Sequence, residues 1–311
     1  MINSTMVTDF LLMGFSDVLD LRILYAFLFL LMYLATLLGN MLIITATTLD
    51  QNLHTPMYFF LRNLSILDMC YISVTVPNAC VNSFTNNWAI SVAGCAMQIF
   101  LVLWFASTEL LFLTIMAHDR YVAICQPLHY PFIMNYQFCV RMTLASLFSG
   151  LIYAGVQTGN TFRLPFCQSN LVHQFFCDIP SLLRLSCSDT FNNEIVILIF
   201  AVVVGGGCFT FIVMSYVHIF STMLKFTTKE QRKAFSTCIP HILVVSVFLG
   251  SGSYVYLRPS VTSETIMDMI LSVFYTIVPP FLNPIIYSLR NKQIKKTIKK
   301  VILGMFYLKK L

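Results

Sequence analysis

The chain has 311 residues, of which 58% are hydrophobic and only 10% charged, with a net charge of +6. A water-facing domain carries about 25% charged residues, so most of this surface does not face water. With a mean hydropathy of +0.78, ordinary cytosolic enzymes, disordered chains and nucleic-acid binders are excluded, and an all-α integral membrane protein remains.

In chain order, seven stretches supply the roughly 20 apolar residues that cross about 30 Å of hydrocarbon. The first is 23–47, interrupted only by Asn40. The second, 57–80, has Arg62 near one end and Asp68 in the middle; the third, 93–116, encloses Glu109. The fourth, 140–159, is the weakest, broken by Gly150, Gly155 and Gly159. The fifth, 195–224, is long enough to cross with tilt, and 235–257 and 266–289 complete the set. The expected organisation is an outer segment 1–22, a seven-helix bundle over 23–289 and an inner tail 290–311.

Basic residues orient the bundle. With the N-terminus outside, 117–139, 225–233 and the tail face the cytoplasm and hold Arg120, Lys225, Lys229, Arg232, Lys233 and the lysines from 292 onward. The opposite side holds Arg22, Arg163, Arg184 and Arg258 among more numerous acids. The first ten residues lack the basic start of a cleavable signal, so the first span is expected to serve as signal anchor. Asn3-Ser4-Thr5 is a glycosylation sequon on the side that permits its use. In the tail, Ile294, Ile298, Val301, Ile302 and Phe306 recur at helical spacing between lysines. An amphipathic helix on the anionic inner leaflet is expected there.

Cys95, Cys167, Cys177 and Cys187 lie on the oxidising side and are expected to form two disulfides, with three pairings open. Cys70, Cys80, Cys125, Cys139, Cys208 and Cys238 fall in or near spans as apolar filler. His173 with Cys167 or Cys177 lacks the repeated spacing of a zinc site, so no firm metal centre is assigned.

Longer strings carry a resemblance. Leu53-His-Thr-Pro-Met-Tyr-Phe-Phe60 opens the second span, and Met116-Ala-His-Asp-Arg-Tyr-Val-Ala-Ile-Cys125 with Pro127-Leu-His-Tyr130 closes the third. Lys233-Ala-Phe-Ser-Thr-Cys238 opens the sixth, and Pro280-Phe-Leu-Asn-Pro-Ile-Ile-Tyr-Ser-Leu-Arg-Asn291 closes the seventh. With Gly39-Asn40 and Ser215-Tyr216, the chain resembles the vertebrate odorant receptors, rhodopsin-like G-protein-coupled receptors, over nearly its whole length.

The resemblance implies a switch built from Asp119, Arg120, Tyr121, Tyr216, Asn283, Pro284 and Tyr287. It also implies an odorant as ligand, a heterotrimeric G protein of the olfactory stimulatory type, raised cyclic AMP and a place in the plasma membrane. Among the pairings it favours Cys95–Cys177, with Cys95–Cys187 as the alternative. Asn40, Asp68, Glu109 and Asn283 form an expected buried polar cluster. Charge at that depth needs a partner, so the cluster holds either a sodium ion or a protonated, water-filled network; no other cofactor is expected. Helical phase places Val102, Phe105 and Ala106 on the inner face of span three. The matching pocket candidates are Phe200, Ala201, Val204, Ser253, Tyr256, Val273 and Thr276. Val102 stands where amine receptors carry an acid, which points to a small, volatile, largely neutral ligand. Three residues depart from the family's strings: His118 for tyrosine, Pro240 for serine and Leu249 for tyrosine. No inverted repeat marks a transporter, and no His-Glu-x-x-His or Gly-x-Ser-x-Gly marks an enzyme.

Overall fold

A computed structural model describes residues 8–15, 18–166, 170–257, 265–290 and 292–308, with side chains described there except at 233, 251–257, 265–269, 271, 289, 290, 292 and 304–308. Asn3 and Cys167, and the side chains of Ser253 and Tyr256, lie outside the described residues.

In hydrocarbon every backbone amide must be satisfied within its own segment, and the chain is accordingly built of helices. They are α1 (Leu19–Leu49), α2 (Pro56–Thr85), α3 (Val92–Cys125), the short α4 (Tyr130–Ile133), α5 (Tyr136–Phe162), the short α6 (Ile179–Leu183), α7 (Phe191–Phe200), α8 (Gly206–Met223), α9 (Thr228–Leu257), α10 (Thr265–Arg290) and α11 (Lys292–Leu308). A π-helical turn, Ala201–Gly205, joins α7 to α8 in a single fifth span. Local chemistry sets the starts. Pro56 opens α2, the Ser91 hydroxyl accepts from Gly94 N at 3.1 Å, and Asn135 Oδ1 accepts from Phe138 N at 2.8 Å; each satisfies or avoids an orphan amide. Asn86 closes α2 with a φ of 55°.

Among the described residues six helices are long and apolar enough to cross a membrane, and the bent pair of α10 and α11 supplies a seventh. α11 turns 96° from α10, so it runs across the bundle's end instead of extending the crossing. The crossings are α1, α2, α3, α5, α7–α8, α9 and α10. Leu24, Phe27, Leu28, Leu31, Leu34 and Leu38 leave the outer face of α1 exposed, as a lipid-facing wall requires. The glycines that weaken the fourth span in hydropathy have a packing reason at one position. A Cβ on Gly150 would stand 2.6 Å from Thr108 Oγ1, and Trp104 Nε1 donates to Leu147 O at 2.9 Å. α5 therefore sits flush on α3.

Two cores follow. The larger fills the cytoplasmic half, around Leu61, Leu64, Leu113, Met116, Ile219 and Val244. The smaller lies at the outer end, where Phe10, Leu12, Cys95, Ile99 and Leu182 gather beneath a three-stranded sheet. In that sheet β1 (Asp9–Leu12) is central, antiparallel to β2 (Ala89–Ser91) with Phe10 opposite Ile90, and parallel to β3 (Leu171–Val172) with Leu11 opposite Leu171. Residues before the first span thus form part of the packed body, and Phe10 is fully buried against the edge of Phe166, ring centroids 5.4 Å apart.

Candidate functional site

Three polar or concave features line the bundle axis. At mid-depth, Asn283 on α10 is buried with Asp68 on α2 and Glu109 on α3. Its Nδ2 donates to both Asp68 carboxylate oxygens at 3.0 Å and to Glu109 Oε1 at 3.2 Å. One amide therefore serves two carboxylates. Asn40 is buried nearby but bonds elsewhere: Nδ2 donates to Thr36 O at 3.1 Å and to Pro280 O at 3.2 Å. The reason is covalent. Pro284 has no N–H for the carbonyl four residues before it, and the Asn40 amide takes that acceptor. A Cβ on Gly39 would stand 3.0 Å from Pro284 Cγ, so the neighbouring glycine is what lets α1 come close enough. Among the described residues Asn40 Oδ1 has no partner, though it is buried.

At the cytoplasmic end of α3, Arg120 Nη2 lies 3.8 Å from Asp119 Oδ2, and the Tyr130 hydroxyl on α4 donates to Asp119 Oδ1 at 2.8 Å. Both α3 residues are buried. Tyr216 on α8 does not reach this pair directly. Its hydroxyl meets His241 Nδ1 on α9 at 2.7 Å, while His241 Nε2 lies 3.0 Å from Leu113 O on α3. A carbonyl only accepts, so Nε2 carries the hydrogen and, in the neutral ring, Nδ1 accepts from the tyrosine. This chain ties three crossings together. Met116, Arg120 and Tyr287 line a crevice here together with Met57, Leu61, Thr237 and His241. The Tyr287 hydroxyl is buried with no partner among the described residues, while Tyr121 packs its ring 5.9 Å from His218.

At the outer end, Cys95 on α3 is bonded to Cys177, and Cys177 N donates to Gln98 Oε1 at 2.8 Å. Gln98 Nε2 in turn donates to Val74 O on α2 at 3.0 Å. The alternative Cys95–Cys187 pairing is thereby excluded. Cys187 is disulfide-bonded as well, to a partner outside the described residues. A metal site using the Cys177 thiolate is closed off by the same bond, and no group of three metal-binding side chains occurs among the described residues.

Beneath this pinned loop is a crevice lined by Val102 and Leu103 from α3, Phe176, Asp178 and Ile179 from the loop, and Tyr275 from α10. Of the pocket candidates with described side chains only Val102 lines it. Val273 packs alongside, with the cluster around Phe175 and Phe176, and Thr276 is buried one turn deeper. Phe105 stacks on Trp104 at 5.4 Å, Ala106 is half-buried beside it, and Phe200 leans on Tyr153 of α5 at 5.1 Å. Ala201 and Val204 are exposed and line neither crevice. Both sit in the π turn, which adds a residue to its turn.

Sequence reasoning missed His241, Tyr275 and the loop residues Phe176, Asp178 and Ile179. A signal for the loop was present: a bond from Cys177 to the top of α3 forces its neighbours over the mouth of the bundle. For His241 the signal was a lone histidine inside an apolar span, where an unsatisfied imidazole is costly.

Comparison with known proteins agrees with this layout. Residues 29–305 match the family model described as olfactory receptor. The chain is 66% identical to human Olfactory receptor 14C36 over 306 residues, covering 98% of both chains. It is 54% identical to human Olfactory receptor 14A16, again over 98% of both, and 49% identical to human Olfactory receptor 14I1 over 99% of both. Neither a transporter nor an enzyme reading survives these matches. The strings at the ends of its spans, the loop pinned to α3 and the length of the match together make this chain a member of the olfactory receptor family, a multi-pass membrane receptor of the G-protein-coupled class.

Proposed function

We propose that a small, volatile, largely neutral odorant binds under the loop pinned by Cys177, and that binding drives a stimulatory, olfactory-type heterotrimeric G protein at the plasma membrane to raise cyclic AMP. The observation that carries this reading is the position of Val102 and Arg120 on one continuous helix. They are 18 residues apart (120 − 102), about 27 Å at 1.5 Å per residue, with one crevice at each end. A displacement of α3 or of its partners at one crevice is transmitted to the other through a rigid element. The outer crevice is apolar apart from Asp178 and the Tyr275 ring edge, and Asp178 Oδ1 already accepts from Ser181 N at the start of α6. That lining suits a ligand held by shape and apolar contact.

The mid-depth cluster gives the switch its second element. Two carboxylates around one amide leave negative charge that a sodium ion or a shared proton would neutralise. Asp68, Glu109 and Asn40 Oδ1, which has no partner among the described residues, would supply the oxygen donors that a sodium ion takes, and the ion would contribute charge neutralisation beside Asn283 of α10. Ligand-driven rearrangement of α10 would then be sensitive to external sodium.

The test is cyclic AMP in cells co-expressing the receptor with an olfactory-type G protein, across an odorant panel, with surface receptor measured in parallel. Arg120→Ala at equal surface level is expected to be silent to every odorant that activates the wild type. Val102→Phe is expected to change which odorants act. A full response from surface-expressed Arg120→Ala overturns the reading.

A further inference from the structure

We infer that Thr297 is a phosphorylation site, and that a phosphate there holds α11 away from the first cytoplasmic loop. The inference rests on the cytoplasmic placement of the tail and on nothing about the odorant or the G protein. Asp50 follows α1, and its Oδ1 accepts from Asn52 N at 3.0 Å and from Asn52 Nδ2 at 2.9 Å. The carboxylate thereby caps the single 3₁₀ turn of Gln51–Leu53. Its other oxygen accepts from the Thr297 hydroxyl. Gln293 Nε2 donates to Asn52 O at 3.3 Å, and Ile294 is fully buried beneath the same contact. Three neighbouring residues of α11 thus dock it on the loop, and among the described residues the carboxylate at that contact, Asp50, is one the threonine meets as a donor.

Thr297 is flanked by exposed lysines at 295, 296, 299 and 300. A hydroxyl between such cations is the chemistry that the acid-lined substrate groove of a basophilic serine/threonine kinase recognises. In the transfer Thr297 Oγ1 attacks the γ-phosphorus of ATP, the bond to the ADP oxygen breaks, and the hydroxyl proton passes to the kinase's catalytic carboxylate. The docked side chain is only 6% exposed, so transfer occurs on the undocked helix. The product no longer donates a hydrogen bond and carries roughly −1.5 to −2 charge. Facing Asp50, it repels where the hydroxyl attracted, while the surrounding lysines hold it in place off the loop. Phosphorylation therefore captures an excursion of α11 and prevents its return.

The experiment uses the full-length receptor in nanodiscs with a basophilic kinase catalytic subunit and ATP. Phosphate is located by mass spectrometry. Docking is read as disulfide crosslinking between Asn52→Cys and Gln293→Cys, scored after cleavage at a protease site placed in the third cytoplasmic loop. We expect phosphate on Thr297 and a roughly tenfold fall in crosslinking yield. Thr297→Glu should mimic the fall, Thr297→Val should show a smaller one, and Asp50→Asn should restore crosslinking in the Thr297→Glu background. Phosphate confined to Thr227 or Thr228, or stoichiometric phosphate on Thr297 with unchanged crosslinking, overturns the inference.

Discussion

At its cytoplasmic end α3 is held by side chains: Asp119 by Tyr130, Leu113 O by His241, and His241 by Tyr216. At its outer end it is held by a covalent bond and by backbone, through Cys95–Cys177, the Gln98 clamp and a sheet that uses residues from before the first span. Side-chain hydrogen bonds exchange one partner for another at modest cost, whereas a disulfide and a strand pairing do not rearrange on the timescale of signalling. On the proposed reading, the inner end would exchange partners while the outer end stays in place above the ligand.

Cutting the outer tie should have the largest effect. Cys177→Ser frees a loop closed over 82 residues, and loss of such a bond costs about 2–5 kcal/mol. Surface receptor and odorant response should fall together, measured by flow cytometry beside cyclic AMP. Retained response in surface-expressed Cys177→Ser would mean that the loop is positioned by the sheet alone. Next is the mid-depth amide that both ends share. Asn283→Ala leaves Asp68 and Glu109 without their shared donor, and leaving a buried acceptor unsatisfied costs about 1–3 kcal/mol. The detergent-solubilised receptor should unfold at a clearly lower temperature, while Asn283→Ala combined with Asp68→Asn recovers part of the loss.

A smaller change should distinguish the exchangeable end. His241→Phe keeps the ring volume and removes both hydrogen bonds, about 1 kcal/mol each. It should raise basal cyclic AMP several-fold without lowering surface level. Basal signalling at the wild-type level would show that the Tyr216–His241 link does not bias the resting state. The smallest effect concerns pH. Hydrogen bonds from Thr297 and Asn52, with Lys300 nearby, hold the Asp50 carboxyl below its ordinary value of 3.8. A depressed folded-state pKa stabilises above the unfolded value and is lost as pH falls through the folded one. The contact between the first loop and α11 should therefore be unchanged from neutral pH down to about pH 5. The same crosslinking assay would read it, and weakening at pH 6 would contradict this account.

The same contrast explains what was legible in the sequence. The crossings were visible because hydrocarbon demands long apolar runs, and Gly150 obscured one of them only by serving the α3–α5 contact. Asp119 to Tyr121 and Pro284 to Tyr287 were visible because each lies in a continuous string at a span's end. Apart from the Cys95–Cys177 tie, the outer end was not. Strands of two to four residues, paired between segments as distant as Leu11 and Leu171, leave no periodic trace. Tyr275 and Ile179 meet only because Cys177 is tied to α3. His241 was missed as a single polar residue outside any recognised string, although its ring joins more crossings than Tyr216 does.

The π turn at Ala201–Gly205 makes one stretch of the fifth span slack in length. It takes up one more residue than an α-helical turn needs, without passing the offset to α7 or α8. Deleting a single residue within it should let the span close into continuous α-helix, with Phe200 still against Tyr153 and Tyr216 still facing His241. The same deletion within α8 would turn Tyr216 by about 100° and disconnect it. Insertions and deletions in this span are therefore tolerated at one level of the membrane and nowhere else along it.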